Sequence, residues 1–306
     1  MDRRSFIRNS TYSGLLLTTG AYPIMATSNE PEITRLTILH TNDVHSRVEP
    51  FPLDGSRNEG LGGVAKRATL IKKIRDEQKN VLLLDAGDIF QGTPYFNFFG
   101  GEIEMKLMSE LGYDAATIGN HDFDGGIDGL ERQLQNATFP LVVSNYNFNN
   151  TILQGKTKEY KIFTKGGLKI GVFGLGIELK GLVPDKLYKE TIYNDPLNAA
   201  EKWATYLKQE QKCDFVICLS HLGYKYDENK VSDRVLAQST SNIDLIIGGH
   251  THTFMKEPER MLNKTGKPVL INQVGWAGIV LGRLDVYFEK NKKGTCITCK
   301  NLIVGS

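Results

Sequence analysis

From residue 33 onward, short apolar runs alternate with stretches of mixed polarity. The runs at 36–40, 81–84, 115–118, 141–143, 168–175, 215–219, 243–247 and 269–272 are rich in Val, Ile and Leu and read as β-strands. Helical stretches lie between them, at 63–78, 102–111, 129–136, 196–211 and 231–240. In the first of these, Val64, Ala68, Ile71 and Ile74 recur at spacings of three and four and make one apolar face. Strands that alternate with helices predict an α/β fold. The stretch 281–304 differs, because Leu284, Val286 and Phe288 alternate with other residues as in an antiparallel strand covered on one side. The sheets are therefore expected to be mixed. No repeat or convincing linker breaks the series, so one domain is expected over 27–306.

Composition narrows the class. With 306 residues, 40% hydrophobic and 24% charged, the chain is neither collagen-like, disordered nor a disulfide-held miniature. Residues 1–26 read as a leader: the Arg3–Arg4 pair is followed by Ser, Phe and Ile, then by a weak apolar stretch ending in small residues near Ala26. Ile24 stands where a small residue is preferred. A twin-arginine-type signal and a periplasmic or exported protein are expected. Without Arg3, Arg4, Arg8 and Asp2 the chain holds 34 basic and 34 acidic residues, so nothing favours nucleic acid or an anionic membrane as partner. The leader's apolar part is too short to span a bilayer and no other stretch reaches that length, so no stable membrane insertion is expected. Cys213 and Cys218 lie in or beside an apolar run and read as small core hydrophobes. Cys296 and Cys299 form a C-x-x-C with no second pair or nearby histidine to complete a zinc site.

Five of the six histidines fall in short polar strings, most of them directly after an apolar run. Thr41-Asn42-Asp43-Val44-His45 follows the first run, and Gly119-Asn120-His121-Asp122-Phe123-Asp124 the third. Ser220-His221 and Gly248-Gly249-His250-Thr251-His252 end two later ones, and Gly87-Asp88 ends the run at 81–84. In α/β sheets the loops beyond the strand carboxyl ends form the ligand crevice. Convergence there would gather Asp43, His45, Asp88, Asn120, His221, His250 and His252 in one pocket. Imidazole and carboxylate ligands suit Zn, Mn, Fe or Co. Seven candidates are too many for one tetrahedral site, but fit two divalent ions that share a bridging carboxylate.

These strings, D-x-H, G-D-x-x-Q-G, G-N-H-D-x-D, S-H-x-G and G-H-x-H in order, resemble the marks of calcineurin-like metallophosphoesterases. LTILHTNDVHSRVEP, DAGDIFQGTPYFNFFGGE, LGYDAATIGNHDFD and GGHTHTF are similar to the 5′-nucleotidase branch, and the likeness covers roughly 34–284. The resemblance implies an α/β fold of two mixed sheets packed as a sandwich with helices outside. It implies one metal held by Asp43, His45, Asp88 and His252, and a second held by Asp88, Asn120, His221 and His250, with Asp88 bridging. It implies a catalytic dyad of His121 and Asp124. Asp122 replaces the family's common Glu, a change not expected to touch the metals. Full-length members carry a C-terminal domain that stacks the nucleobase. The chain stops at Ser306, where that domain would begin, so a separate chain supplying it is conceivable as a partner.

Other residues receive plainer readings. His40 alternates with apolar neighbours and reads as a buried structural histidine; Asp85 reads as the start of a turn. Phe96, Phe98 and Phe99 read as core or loop cover, and Lys66, Arg67, Lys72 and Lys73 as a solvated helix face. The glycine-rich 171–176 lacks the spacing of a dinucleotide fingerprint. The expected function is two-metal hydrolysis of nucleoside 5′-monophosphates or related phosphate monoesters. Its rivals are a cyclic-nucleotide or nucleotide-sugar phosphodiesterase or pyrophosphatase, and a non-catalytic metal-containing binding protein.

Overall fold

Most of the Val-, Ile- and Leu-rich runs become strands buried on both faces, arranged in two sheets. The computed structural model describes residues 33–289 and 295–305; the expected leader at 1–26 lies outside them. The strands are β1 (Ile33–Thr41), β2 (Val81–Asp85), β3 (Ala115–Ala116), β4 (Tyr146–Asn147), β5 (Tyr160–Lys165), β6 (Leu168–Leu175) and β7 (Ile192–Tyr193). They continue as β8 (Phe215–Ser220), β9 (Leu245–Gly248), β10 (Glu259–Leu262), β11 (Pro268–Asn272), β12 (Val280–Glu289), β13 (Thr295–Cys299) and β14 (Leu302–Ile303). One sheet runs β13-β12-β1-β2-β3, with β14 beside β12; the other runs β10-β11-β9-β8-β6-β5. Within the first, β1, β2 and β3 are parallel and β12 is antiparallel to β1. In the second, β11, β9, β8 and β6 are parallel between antiparallel edges β10 and β5. The mixed α/β architecture expected from the sequence is the one observed.

Alternation along the strands builds three cores. Leu36 and Ile38 of β1, Leu82 and Leu84 of β2, and Leu284 and Val286 of β12 meet Val172 of β6, Ile217 of β8 and Ile247 of β9 between the sheets. Leu39 and Leu83 point the other way and pack with helices α1 (Val64–Glu77), α2 (Pro94–Phe99), α3 (Glu102–Glu110) and α4 (Gly126–Gln133). After the short α5 (Asp185–Tyr188), α6 (Pro196–Thr205) and α7 (Asp233–Ser239) cover the far side of the second sheet with Ala200, Ala204 and Leu236. Cys213 and Cys218 lie in that core, and both are free. Cys299 is free as well, whereas the Cys296 side chain lies outside the described residues.

Three readings need correction. Residues 141–143 form no named strand, only isolated bridges from Leu141 to Ala116 and from Val142 to Lys158. Arg67 does not share the solvated face of Lys66, Lys72 and Lys73; it is 3% exposed and runs inward beside Gly278. The third strand is cut to two residues, because Thr117 to Asn120 already belong to the loop that follows. No described helix is long and apolar enough to cross a membrane.

Candidate metal centre

The carboxyl ends of β1, β2 and β3 in one sheet, and of β8 and β9 in the other, open onto the same place. The loops are tied across the sheets: the His250 N–H donates to both Asp43 oxygens at 2.9 and 3.0 Å. His221 Nδ1 donates to the Ala86 carbonyl at 2.7 Å, and Asn42 Nδ2 to the Gly275 carbonyl at 2.6 Å. Two ligand clusters result. Ligand atoms of Asp43, His45 and His252 lie within 4.8 Å of one another, and those of Asp88, His221 and His250 do the same. Asp88 Oδ2 lies 3.1 Å from His221 Nε2 and 3.8 Å from His45 Nε2, so it faces both clusters. Asn120 Oδ1 is 2.9 Å from His250 Nδ1. All seven residues that sequence reasoning singled out as ligands are gathered in one place.

The backbone is bent to achieve this. Asp43, His45, Asp88, His250 and His252 all have positive φ, between 50° and 70°. Such left-handed residues cost free energy and persist where surrounding structure over-determines them, commonly at functional sites. Gly119 leaves the room required, since a Cβ there would collide with the Asp88 carboxylate.

The donor set fits cations. His221 is fully buried, its Nδ1–H is committed to Ala86, and its Nε2 has no hydrogen-bond partner. The lone pair left on that nitrogen lies beside the Asp88 carboxylate, 3.1 Å away and also an acceptor; a cation held by both resolves the conflict. His45 repeats the arrangement, with Nδ1 on the Phe90 carbonyl at 3.3 Å and Nε2 3.0 Å from His252 Nε2. Without an ion, protons must serve instead. Burial works against the Asp88 anion, yet His221 and His45 hold its carboxyl well below the usual range. Burial works against a charged His221 too, but Asp88 lifts it to about 10. Burial, aided by His221, pushes His250 down to about 4, and burial lowers His45.

At the rim, His121 Nδ1 meets Asp124 Oδ2 at 2.7 Å, and this bond raises the histidine pKa. The His121 backbone N–H donates to Asp88 Oδ1 at 2.8 Å. Of the aromatic candidates, Phe96 is buried and stacks on Phe90, whereas Phe98 is 80% exposed and Phe99 is exposed too.

Sequence reasoning missed several supporting residues. Asp122 joins neither cluster, but its carboxylate accepts the N–H groups of Asp88, Ile89, Phe90 and Gly119 at 2.8–3.1 Å. Asp233 is buried under β8 and accepts from Ser220 Oγ at 2.5 Å. The signal for Asp122 was its place inside G-N-H-D, beside two of the singled-out residues.

A family model of calcineurin-like phosphoesterases matches residues 36–254. The chain belongs to the calcineurin-like phosphoesterase family. Membership implies divalent metals, and the two clusters supply candidate ligands for them. A snake venom 5′-nucleotidase of Gloydius brevicauda is 36% identical over an alignment of 304 positions that covers 92% of this chain and 50% of that protein. Among solved structures, a 5′-nucleotidase precursor from Thermus thermophilus matches with a TM-score of 0.78 at 33% identity, over 89% of this chain and 55% of that one. The NAD nucleotidase of Haemophilus influenzae matches with a TM-score of 0.78 at 30% identity, over 89% and 50%. This phosphoesterase chain therefore spans about half the length of those relatives.

Proposed function

We propose that the chain is a two-metal phosphohydrolase releasing phosphate from nucleoside 5′-monophosphates or related monoesters. The observation that carries this is a pair of neighbouring ligand clusters with Asp88 of one also facing His45 of the other, and the His121–Asp124 pair beside them, the His121 backbone N–H being on the Asp88 carboxylate. Asp43, His45, Asp88 and His252 would hold one ion, and Asp88, Asn120, His221 and His250 the second; this N/O set suits Zn, Mn, Co or Fe. When bound, such a pair polarises phosphoryl oxygens and makes water a nucleophile at neutral pH. His121 is oriented by Asp124 through Nδ1, which leaves Nε2 to donate a proton or hydrogen bond to the leaving oxygen. Burial of Asp43 and Asp88 keeps bulk water from competing for their oxygens.

The names of the nucleotidase relatives support the monoester substrate. Likeness to an NAD nucleotidase supports a second reading, hydrolysis of a nucleotide pyrophosphate. A purely metal-holding binding protein has no use for the His121–Asp124 pair. The test is a phosphate-release screen across nucleotides, diesters, pyrophosphates and sugar phosphates, with metal-free protein reloaded with single metals. Monophosphates should be cleaved only by reloaded protein. His121→Ala should keep both ions yet turn over about 10²–10⁴-fold more slowly. Full activity in protein shown to be metal-free, or loss of an ion from His121→Ala, contradicts the assignment.

A further inference from the structure

His252 is held differently from His45 and His221. Each of those two commits Nδ1 to a backbone carbonyl. Metal-bound histidines are ordinarily fixed by such a bond from the second ring nitrogen. Among the described residues no hydrogen bond reaches His252 Nδ1, and His252 is the exposed member of the two clusters. What it has instead is Trp276, whose ring lies parallel to the imidazole, 8° between planes and 5.8 Å between centroids. That is the offset geometry aromatic pairs prefer.

Trp276 is half-buried and is itself held in place. Phe51 meets it edge-on at 5.8 Å, and the Arg47 guanidinium sits 4.1 Å over the Phe51 ring. The Gly275 N–H donates to the Thr253 carbonyl at 2.9 Å, beside His252, and the Ala277 N–H to the Asp43 carbonyl at 2.8 Å. Ala277 adopts a positive φ of 56° to make that turn. The loop that carries the indole is thus anchored to Asp43 and to the residue that follows His252.

We propose that Trp276 is a positioning residue for metal binding: its ring keeps the His252 imidazole turned with Nε2 toward Asp43 and His45, in place of an Nδ1 hydrogen bond. The role rests on the two-metal reading above, because His252 enters it as a ligand. A flat aromatic surface is what the role requires, so Phe can substitute and Leu cannot.

Trp203 and Trp276 are the two tryptophans of the chain, so Trp203→Phe leaves one indole to observe. Co²⁺ titrated into metal-free Trp203→Phe protein should quench that emission in one of two binding phases. In calorimetry with Mn²⁺, Trp276→Leu should weaken one of two phases about tenfold, the low end for a lost outer partner of a metal ligand. The other phase should persist, and Trp276→Phe should restore most of the loss. Phe51→Leu, which leaves the indole present but unsupported, should weaken the same phase to a smaller degree and decides the matter if Trp276→Leu does not fold. Wild-type protein that binds fewer than two equivalents overturns the two-metal reading and this role together. Two intact wild-type phases with unchanged affinities in Trp276→Leu, or in Phe51→Leu where that variant decides, overturn the role of Trp276 alone. Absence of quenching in Trp203→Phe does so too.

Discussion

The Asp122 carboxylate takes two backbone N–H groups on each oxygen, from Ile89 and Phe90 on Oδ1 and from Asp88 and Gly119 on Oδ2. Four donors leave no lone pair for a proton, although burial and the nearby Asp88 push its pKa up to about 7. It joins the two loops that carry Asp88 and Asn120. Asp122→Asn would turn an NH₂ toward two of those donors, leaving buried groups unsatisfied at about 1–3 kcal/mol each. The expected outcome is a 10–100-fold loss of metal affinity by calorimetry, and wild-type affinity would show the anchor to be dispensable. His40 makes a separate prediction. It is fully buried, its Nε2 accepts from Asn272 Nδ2 at 2.7 Å, and burial pushes it down to about 3. A folded pKa below the unfolded value of 6.5 means that the unfolded chain binds the proton first. Stability from this group is therefore complete above pH 6.5 and is lost as pH falls toward 3, by up to about 1.4 kcal/mol per pH unit. Asp85 and Asp233, raised by burial to about 7 and 8, work in the opposite direction. The comparison is thus between wild type and His40→Gln: denaturation from pH 6.5 to 4.5 should show a shallower acid loss in the variant. Equal slopes would mean His40 is not held neutral.

Elements buried on both faces were legible in the sequence, because Val, Ile and Leu runs such as Phe215–Ser220 need no alternation to be recognised. Edge elements were not. In β5 and β10 most residues are partly or fully exposed, so polar and charged side chains interrupt the pattern. Helix α2 was hidden by its own composition, since PYFNFF gives an aromatic run with one buried residue, Phe96. Arg67 was misread because charge suggested solvent, while its position places it with Ile71 and Ile74 on the inward face of α1. The ligand strings were legible for a different reason: polar residues directly after apolar runs mark strand carboxyl ends, and the parallel order of β1, β2, β3 and of β8, β9 puts those ends together. What could not be read was the support around them, because Asp122, Asp233 and Trp276 act through contacts distant in sequence. Capping gives the prediction at this scale. Asp195 accepts the Asn198 N–H at 2.7 Å and starts α6 with Pro196 in its first turn. Asp195→Ala should cost about 1 kcal/mol, roughly 2–4 °C in Tm for a chain of this size. Activity should be unchanged at assay temperature; an unshifted Tm in calorimetric scans would show that water replaces the cap.

Across the whole molecule, every proposed ligand lies between Asp43 and His252, on loops from both sheets. On the two-metal reading, residues 33–305 are then expected to suffice for the phosphoryl end of a monoester, whatever else accompanies them in a longer protein. The base is a separate matter, because contacts to phosphate carry no information about it. Stacking on an aromatic side chain is worth about 1–3 kcal/mol per base in single-strand binders, and here Phe98 and Phe99 of α2 and Phe254, two residues past His252, are exposed aromatics near the candidate loops in sequence. Phe98 is 80% exposed, with no described ring within stacking distance. A single unopposed ring stacks one face of any base and distinguishes poorly among them. The 306-residue chain, reloaded with metal, is therefore expected to cleave AMP, GMP, CMP, UMP and a plain aryl phosphate with kcat/KM values within about 100-fold, or 2.7 kcal/mol. A preference beyond about 100-fold in the chain alone would mean that it builds its own base pocket. Phe98→Ala and Phe99→Ala would then abolish the preference while leaving aryl phosphate turnover as it was.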